Sequence, residues 1–337
     1  MKVLFAAAFS FLLSVNALSS GAFSGAAVVA LEETLREAAH KTPLPPRFQN
    51  APWRTISHEK FNVFHHVDDS LNAATIASIL HDEYPSISRE LGSDVSAPIG
   101  VFITKDQAQF TKMTGGGIPH WGEAVANPKR QIIYLKSPRW SQIGDHPRTV
   151  VVHELVHILV GNAVRDVRVP RWLTEGLAVY FSGDLEHIGA TKISQAQLND
   201  QLLTLREIER MLVFGHAKAN LAYQQSYFAV VYLAEKYDAS AFPLLLNALN
   251  ESGGIDGAFQ EVYGFSVAEF EREWRAYLKS KYRWSFLAEF DTLLWVFIPL
   301  LFLLAVVISY FRNRRKKAQL DAEEDQYASP YDPENDW

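Results

Sequence analysis

The sequence predicts an α+β fold, with a small N-terminal mixed sheet and helices, a mainly helical C-terminal half and one C-terminal transmembrane helix. Three observations support this prediction. The segment Phe61–His65 alternates as a strand does, and Ile99–Thr104 is a second strand candidate. The apolar patterns after residue 145 are helical. Residues 292–311 carry no charged side chain, which indicates a membrane span.

The composition excludes several classes of protein. A hydrophobic content of 48% is high enough for a sizeable core, so general disorder is excluded. The formal net charge of -6 gives no support to nucleic-acid binding, which would require a basic excess. The chain has no cysteine, and this excludes disulfides, thiolate nucleophiles and cysteine-ligated zinc.

The N-terminus has the features of an export signal. Residues 1–17 combine the positive charge of Lys2 with an apolar core and a small-residue cleavage site, as a signal peptide does. The alternative is a retained membrane anchor, because residues 21–30 stay fairly apolar. Residues 18–58 then form an N-terminal helix (31–39) and a proline-rich linker. Both alternatives place the following domain outside the cytoplasm.

The strand-rich half continues with a helix and a hairpin. A helix is predicted from about Leu71 to Leu91, ending at Gly92. The segments Glu123–Ala126 and Gln131–Leu135 flank the turn Asn127–Arg130 and predict a β-hairpin. We interpret the first strand as an edge beside an active cleft, to which an extended peptide could pair. A purely structural hairpin is the alternative.

The most informative motif is His153-Glu154-x-x-His157, which lies in an apolar run. On an α-helix the two histidines lie one turn apart on the same face, so both imidazoles can bind one ion. Glu154 can reach a water molecule bound to that ion. The alternative is a buried helix whose histidines have only structural partners.

Further helices follow from end signals and apolar periodicity. The motif helix has Asp145 as a possible cap, Pro147 in its first turn and Gly161-Asn162 near its end. Pro170 begins a mostly apolar helix that runs to Phe181 and has Glu175 as its only acid. The remaining predicted helices are Leu202–Leu212, Tyr223–Leu233, Phe242–Leu249, Ala258–Tyr263 and Ser266–Tyr282.

The uncharged segment 292–311 is long enough to cross a hydrocarbon core of ~30 Å at ~1.5 Å per residue. The basic segment 312–317 follows at once and marks the cytoplasmic side. The chain is therefore predicted to be a single-pass protein of the cell membrane, with the domain before residue 290 on the extracytoplasmic side. Residues 312–337 are predicted to be a cytoplasmic tail, of which 318–337 is acidic and disordered.

Glu175 is the best candidate for a third metal ligand. A carboxylate in so apolar a helix is costly unless it is paired or bound to a metal, and an ion-pair partner is the alternative role. An extended motif with Gly at 160 and His at 163 is excluded by Val160 and Ala163. Other possible donors lie in polar, loop-like surroundings: Asp166, Asp184, Glu186 and His187.

The motif and the segment Trp172–Ala178 (Trp-Leu-Thr-Glu-Gly-Leu-Ala) together resemble the gluzincin metallopeptidases, especially the peptidase MA-like domain group. The resemblance covers about residues 59–282, the predicted catalytic domain. It implies a thermolysin-like fold and one Zn²⁺ ion held by His153, His157 and Glu175. Some gluzincins place an acid four residues after the third ligand, but here that position is Val179. The segment Tyr223–Ser226 resembles the beginning of a later helix of the gluzincins. The segments Phe259–Gly264 and Phe270–Trp274 are similar to the end of such domains.

The resemblance also implies zinc-dependent hydrolysis of a peptide or protein substrate. Glu154 would be the general base, and Tyr223 would stabilise the oxyanion, with Tyr227 as the fallback for that role. Two alternatives remain: a membrane-anchored zinc-binding module without catalysis, and a zinc hydrolase of a non-peptide substrate. Structural zinc sites favour four protein ligands, which argues against the first alternative.

Overall fold

The structure is a computed structural model that describes residues 53–116, 118, 122–144, 146–164, 167–185, 188–282 and 290–327. The predicted signal peptide and the predicted helix at 31–39 lie outside the described residues. The described chain forms two compact units, of which the first comprises its parts of 1–189 and 202–277.

A five-stranded mixed sheet is the centre of the first unit. Its strands are β1 Arg54–Ser57, β2 Phe61–His65, β3 Ile99–Thr104, β4 Ala124–Asn127 and β5 Ile132–Lys136. They lie in the order β1-β2-β3-β5-β4 across the sheet. The strands β2, β3 and β5 are mutually parallel, and the two edge strands β1 and β4 are antiparallel to their neighbours. Strand β1 lies where the sequence analysis places a linker.

Both faces of the sheet are covered, which is why β2 and β5 are buried along their whole length. Phe64, Phe102 and Tyr134 are paired in register and form an aromatic row on one face, where they pack with Phe110 of a short helix. Two longer helices, α1 (Ser70–Glu90) and α3 (Pro147–Ala163), pack against the sheet and against each other. The sheet thereby supports the helix that carries the histidine motif.

The helices occupy the predicted positions with several differences. Their bounds are α1 Ser70–Glu90, α2 Gln107–Thr114, α3 Pro147–Ala163, α4 Arg171–Ser182, α5 Ala190–Leu198, α6 Leu205–Ile208, α7 His216–Tyr237, α8 Phe242–Ser252, α9 Ile255–Tyr263, α10 Val267–Lys281 and α11 Phe290–Tyr327. Helices α2 and α5 are not predicted by the sequence analysis.

The single helix predicted for Leu202–Leu212 is wrong. A capping box between Thr204 and Glu207 begins the four-residue helix α6, and a separate 3₁₀ turn follows at Met211–Val213. Between them, the carboxylate of Glu209 accepts hydrogen bonds from the backbone of Arg171 and from the side chain of Arg168. This segment is therefore a connection that binds the start of α4, and a continuous helix does not form.

The ends of α3 also differ from the prediction. Asp145 lies outside the described residues, and the residue before the first turn is His146, which makes no side-chain cap. Pro147 occupies the first turn as predicted. Gly161 lies inside the last turn of α3, which ends at Ala163. A Cβ atom at this position would be only 2.3 Å from the Cβ of Pro128. That glycine lets α3 approach the turn between β4 and β5.

The predicted hairpin is present. Ala124 pairs with Leu135 and Asn127 pairs with Ile132, so β4 is the free edge of the sheet. The side chain of Asn127 accepts a hydrogen bond from the backbone N–H of Arg130 and closes the turn. The α3 helix packs directly against β4. The edge strand therefore lies beside the helix of the histidine motif.

The second unit comprises residues 190–201 and the described residues from 278 onward. Its long helix α11 contains a segment, Phe297–Glu323, that is long and apolar enough to cross a membrane. The predicted disorder of the tail is wrong up to Tyr327, where α11 ends. Residues 316–326 are rich in Lys, Ala, Glu and Gln, which favour helix.

Candidate metal centre

Helix α3 presents the two histidines of the motif on one face. The ring centroids of His153 and His157 are 4.9 Å apart, as expected for residues one helical turn apart. Both rings are partly exposed, whereas Val152, Val156 and Leu159 on the other faces are buried. The apolar run therefore packs α3 into the core and leaves the imidazoles at the surface of a cleft.

Glu175 comes to the histidines from α4. Its side chain is buried, and its Oε2 lies 3.5 Å from His153 Nε2 and 3.6 Å from His157 Nε2. Helix α4 crosses α7 closely next to Glu175. A Cβ atom on Gly176 would lie only 2.4 Å from the backbone oxygen of Ser226. The structure thus brings together the three residues that the sequence analysis selects as ligands.

This group fits a zinc ion by its chemistry and by its spacing. One ligand atom from each of the three residues lies within 4.8 Å of the others. Zinc ligands bound at about 2.0–2.1 Å in a tetrahedron lie about 3.3–3.4 Å apart, close to the two carboxylate–imidazole distances. Two imidazoles and one carboxylate leave the fourth position for water or substrate, as in catalytic zinc sites.

The other donors considered from the sequence do not belong to this group. Asp184 lines the adjoining cleft, and its negative charge acts on His153 without the residue belonging to the ligand cluster. Asp166, Glu186 and His187 lie outside the described residues.

Arg171 is a neighbour of the centre that the sequence analysis misses. Its Nη1 lies 3.5 Å from Oε1 of Glu175, the carboxylate oxygen that does not face the histidines. Helical i,i+4 spacing between the two residues is a signal that could have identified this ion pair. No acid occupies the position of Val179, which is buried.

Burial governs the ionisation of the centre. It lowers the pKa of His157 to about 4, against the attraction of Glu175, so that imidazole is neutral. Burial also opposes ionisation of Glu175, but the imidazoles and Arg171 outweigh it and hold the pKa of this carboxyl below its usual value. A neutral imidazole and an ionised carboxylate are the forms that bind metals.

Glu154 is held beside the ligands and is almost completely buried. Burial, aided by the charge of Glu175, raises its pKa to about 7, although His153 and a hydrogen bond from the backbone N–H of Ala126 act in the opposite direction. A carboxyl group that titrates near neutral pH is suited to accept and return a proton. Strand β4 therefore positions the candidate base.

Two cavities meet at this centre. The narrow cavity has a volume of about 460 Å³ and the wide cavity one of about 690 Å³. Both are lined by Gly122, Ala124, His153, Glu154 and Tyr223. A chain that passes from one cavity to the other would cross the candidate metal centre.

Tyr223 lies on the cleft side of α7. The sequence analysis predicts that this helix begins at Tyr223, but it begins at His216. Burial and the charges of Glu175 and Glu154 raise the pKa of its phenol well above the ordinary value. The hydroxyl group therefore stays protonated and is able to donate a hydrogen bond. The fallback residue Tyr227 lines neither cavity and packs with Phe228.

The free edge of β4 faces this cleft. In an antiparallel pair, successive residues bond alternately toward and away from the partner strand. Lys136 N–H donates to the carbonyl of Glu123, so the pairing of Val125 with Tyr134 is also hydrogen-bonded. The N–H and C=O groups of Ala124 and Ala126 consequently point away from β5. The N–H of Ala126 acts on the carboxylate of Glu154, and Ala124 lines both cavities. This edge of the sheet therefore lies beside the candidate metal centre.

Comparison with protein-family models gives a match over more than half of the chain. The model of the Peptidase MA superfamily (Peptidase_MA_2) matches residues 82–280, which include the three candidate ligands and Glu154. A comparison with curated proteins gives no match.

Proposed function

We propose that this chain, which belongs to the Peptidase MA superfamily, is a membrane-anchored zinc-dependent metallopeptidase with Glu154 as its general base. The observation that carries the proposal is the placement of one carboxylate oxygen of Glu175 between the imidazoles of His153 and His157. On the same helix, Glu154 faces the cleft beside these ligands.

His153, His157 and Glu175 would hold the ion. When bound, zinc supplies Lewis acidity, which polarises the scissile carbonyl and lowers the pKa of water. Glu154 would take the proton of the attacking water and return it to the leaving amine. The backbone N–H of Ala126 favours the ionised form of Glu154, which is the form that accepts the proton.

Tyr223 would donate its hydroxyl proton in a hydrogen bond to the developing oxyanion. The substrate backbone would pair with the N–H and C=O groups of Ala124 and with the C=O group of Ala126 on β4, which supplies affinity without regard to sequence. Cavities on both sides of the centre support a substrate that continues in both directions from the scissile bond.

The membrane part of the proposal rests on α11. Its apolar segment would cross the bilayer, and the basic segment 312–317 would lie on the cytoplasmic side. The peptidase domain would then act outside the cytoplasm.

A zinc-binding module without catalysis is supported less well. A structural site has no use for a buried carboxylate such as Glu154 beside an open coordination position. The same residues would also serve a zinc hydrolase of a non-peptide substrate, but the free edge of β4 favours an extended peptide.

The test of catalysis uses a mixed peptide library with the full-length protein in a neutral detergent. We expect cleavage that a chelator abolishes and that added zinc restores. Glu154→Gln is expected to remove turnover and to leave the zinc content unchanged, because glutamine cannot accept the proton. Substantial turnover by this variant would exclude Glu154 as the base.

The test of the metal site compares two acids that lie near the centre. Glu175→Ala should remove zinc from the purified protein, as measured by elemental analysis, because only two ligands remain. Asp184→Ala is the matched control, since Asp184 lines the cleft but lies outside the ligand group, and should retain zinc. Full zinc occupancy in Glu175→Ala would contradict the assignment.

A further inference from the structure

The two cavities that meet at the metal centre differ in charge. Beyond the central residues, the wide cavity is lined by three cationic side chains and one acid, Lys129, Arg168, Arg171 and Glu209. The narrow cavity is lined by two acids, Glu123 and Asp184, and by no lysine or arginine among the described residues. The wide cavity is therefore the more positive of the two, and low-dielectric walls focus such a difference in charge.

The cations of the wide cavity retain unused capacity for hydrogen bonds. Arg168 donates one bond, from Nη2 to Glu209 Oε2 at 2.9 Å, and its side chain is 76% exposed. The Nε of Arg171 is buried without a hydrogen-bond partner. Lys129 is exposed and has no ion-pair partner among the described residues. Glu209 pairs with Arg168 and Glu175 pairs with Arg171, so among the described residues the charge of Lys129 is the one left uncompensated.

The narrow cavity would repel an acidic side chain. Glu123 Oε1 lies 3.6 Å from Nζ of Lys136, whereas its Oε2 is buried without a hydrogen-bond partner. Asp184 forms no ion pair with the part of the chain that the structure describes. A second carboxylate brought into this cavity would meet like charges, which costs binding energy.

We propose that the cleft selects peptide substrates by charge, with acidic side chains bound in the wide cavity and excluded from the narrow one. Lys129, Arg168 and Arg171 are the specificity-determining residues. This inference rests on the proposed peptidase function and adds to it a substrate class, namely peptides that are acidic on one side of the scissile bond.

The test uses the full-length, zinc-loaded protein and peptides built on one sequence that it cleaves. Each position flanking the scissile bond carries in turn Glu, Gln or Lys, and the ratio of kcat/KM for Glu to that for Gln is measured. We expect the ratio to exceed one on one side of the bond, by about two- to five-fold per charge, and to fall below one on the other side. Raising the salt concentration should reduce both effects.

A pair of neighbouring cations provides the matched variants. Lys129→Gln should lower the Glu/Gln ratio on the favoured side, and Lys129→Gln combined with Arg168→Gln should bring it close to one. Arg130→Gln is the control, because Arg130 is exposed next to Lys129 but lines neither cavity. It should leave the ratio unchanged.

A readout without turnover uses Glu154→Gln, to which the peptides bind without being cleaved. The Kd of the acidic peptide should be lower than that of its Gln counterpart by a similar factor, and the Lys129→Gln change should remove part of the difference.

Equal Glu/Gln ratios on both sides, or a preference that Arg130→Gln reduces as much as Lys129→Gln does, would overturn the inference while leaving the peptidase function intact. Absence of cleavage of every peptide would contradict the proposed function itself.

Discussion

At the scale of single residues, the surroundings of Tyr223 define its chemistry. Its phenol lines both cavities and lies near the carboxylates of Glu154 and Glu175, and burial keeps it protonated. A protonated hydroxyl beside two acids donates hydrogen bonds and does not act as a base. Tyr223 is therefore suited to stabilise negative charge that develops on a substrate oxygen.

Replacement of this hydroxyl should affect the transition state more than the bound substrate. Tyr223→Phe is expected to lower kcat by about 10²–10³-fold, the usual effect of losing one oxyanion donor, with a much smaller change in KM. Steady-state kinetics on a cleaved peptide measure both constants.

Tyr227→Phe is the matched control for that substitution. Tyr227 lies one turn away on the same helix but lines neither cavity, so its loss should leave kcat close to the wild-type value. A large fall in kcat for Tyr227→Phe together with a small one for Tyr223→Phe would exchange the two assignments.

At the scale of elements, the crossing of α4 over α7 supports the centre. Glu175 and Tyr223 lie on these two helices, and the adjacent Gly176 meets the backbone of Ser226. The buried hydroxyl of Ser226 donates a hydrogen bond to the carbonyl of Ala222 within α7 and so does not compete for groups of α4. The absent side chain of Gly176 thus allows Glu175 and Tyr223 to line one cavity, where we propose their roles as metal ligand and oxyanion donor.

A methyl group at this crossing should separate the two helices. Gly176→Ala is expected to lower the free energy of unfolding by about 1–3 kcal/mol, since the contact is with backbone that cannot rotate away. Zinc affinity should fall as well, because Glu175 moves with α4. Denaturant unfolding and competition with a chelator measure the two effects.

Gly189→Ala is the control, since an added Cβ atom at that position meets nothing within 4 Å. It should change neither stability nor zinc affinity. Wild-type stability in Gly176→Ala would show that the helices separate without cost and would remove this glycine from the account of the site.

The elements that the sequence predicts best are those whose signals are local. The spacing of His153 and His157 follows from one helical turn, and the β4–β5 hairpin follows from its turn residues. Helix α2 had such signals too, a capping Asp106 and a left-handed Gly115, but its weak apolar pattern conceals it. The first turns of α7 are polar and alanine-rich, so the apolar period begins only at Tyr223.

The features that the sequence does not predict depend on contacts between distant segments. The parallel order of β2, β3 and β5 results from crossovers, which leave no local pattern. Glu209 binds the start of α4 from a segment that reads as helix, and the N–H of Ala126 reaches Glu154 across the cleft. Both contacts are made only after the chain folds.

At the scale of the whole molecule, α11 has the exposed apolar surface that the proposed membrane span requires. Trp295, Phe302 and Ile308 are among the many large apolar side chains that it exposes. Continuous apolar surface of this size on a water-soluble protein would associate. Within a bilayer the same surface is satisfied, and the backbone hydrogen bonds are already made within the helix.

The orientation of this helix is open to a direct test because the chain has no cysteine of its own. Lys112→Cys on α2 and Asp321→Cys beyond the basic segment both place a thiol at an exposed position. A membrane-impermeant maleimide applied to intact cells or spheroplasts should label Lys112→Cys at once. It should label Asp321→Cys only after permeabilisation, because the positive segment 312–317 favours the cytoplasmic side. The unsubstituted chain, which cannot react, is the background control. Labelling in the opposite pattern would place the peptidase domain in the cytoplasm, and labelling of both variants in intact cells would show that α11 does not cross the membrane.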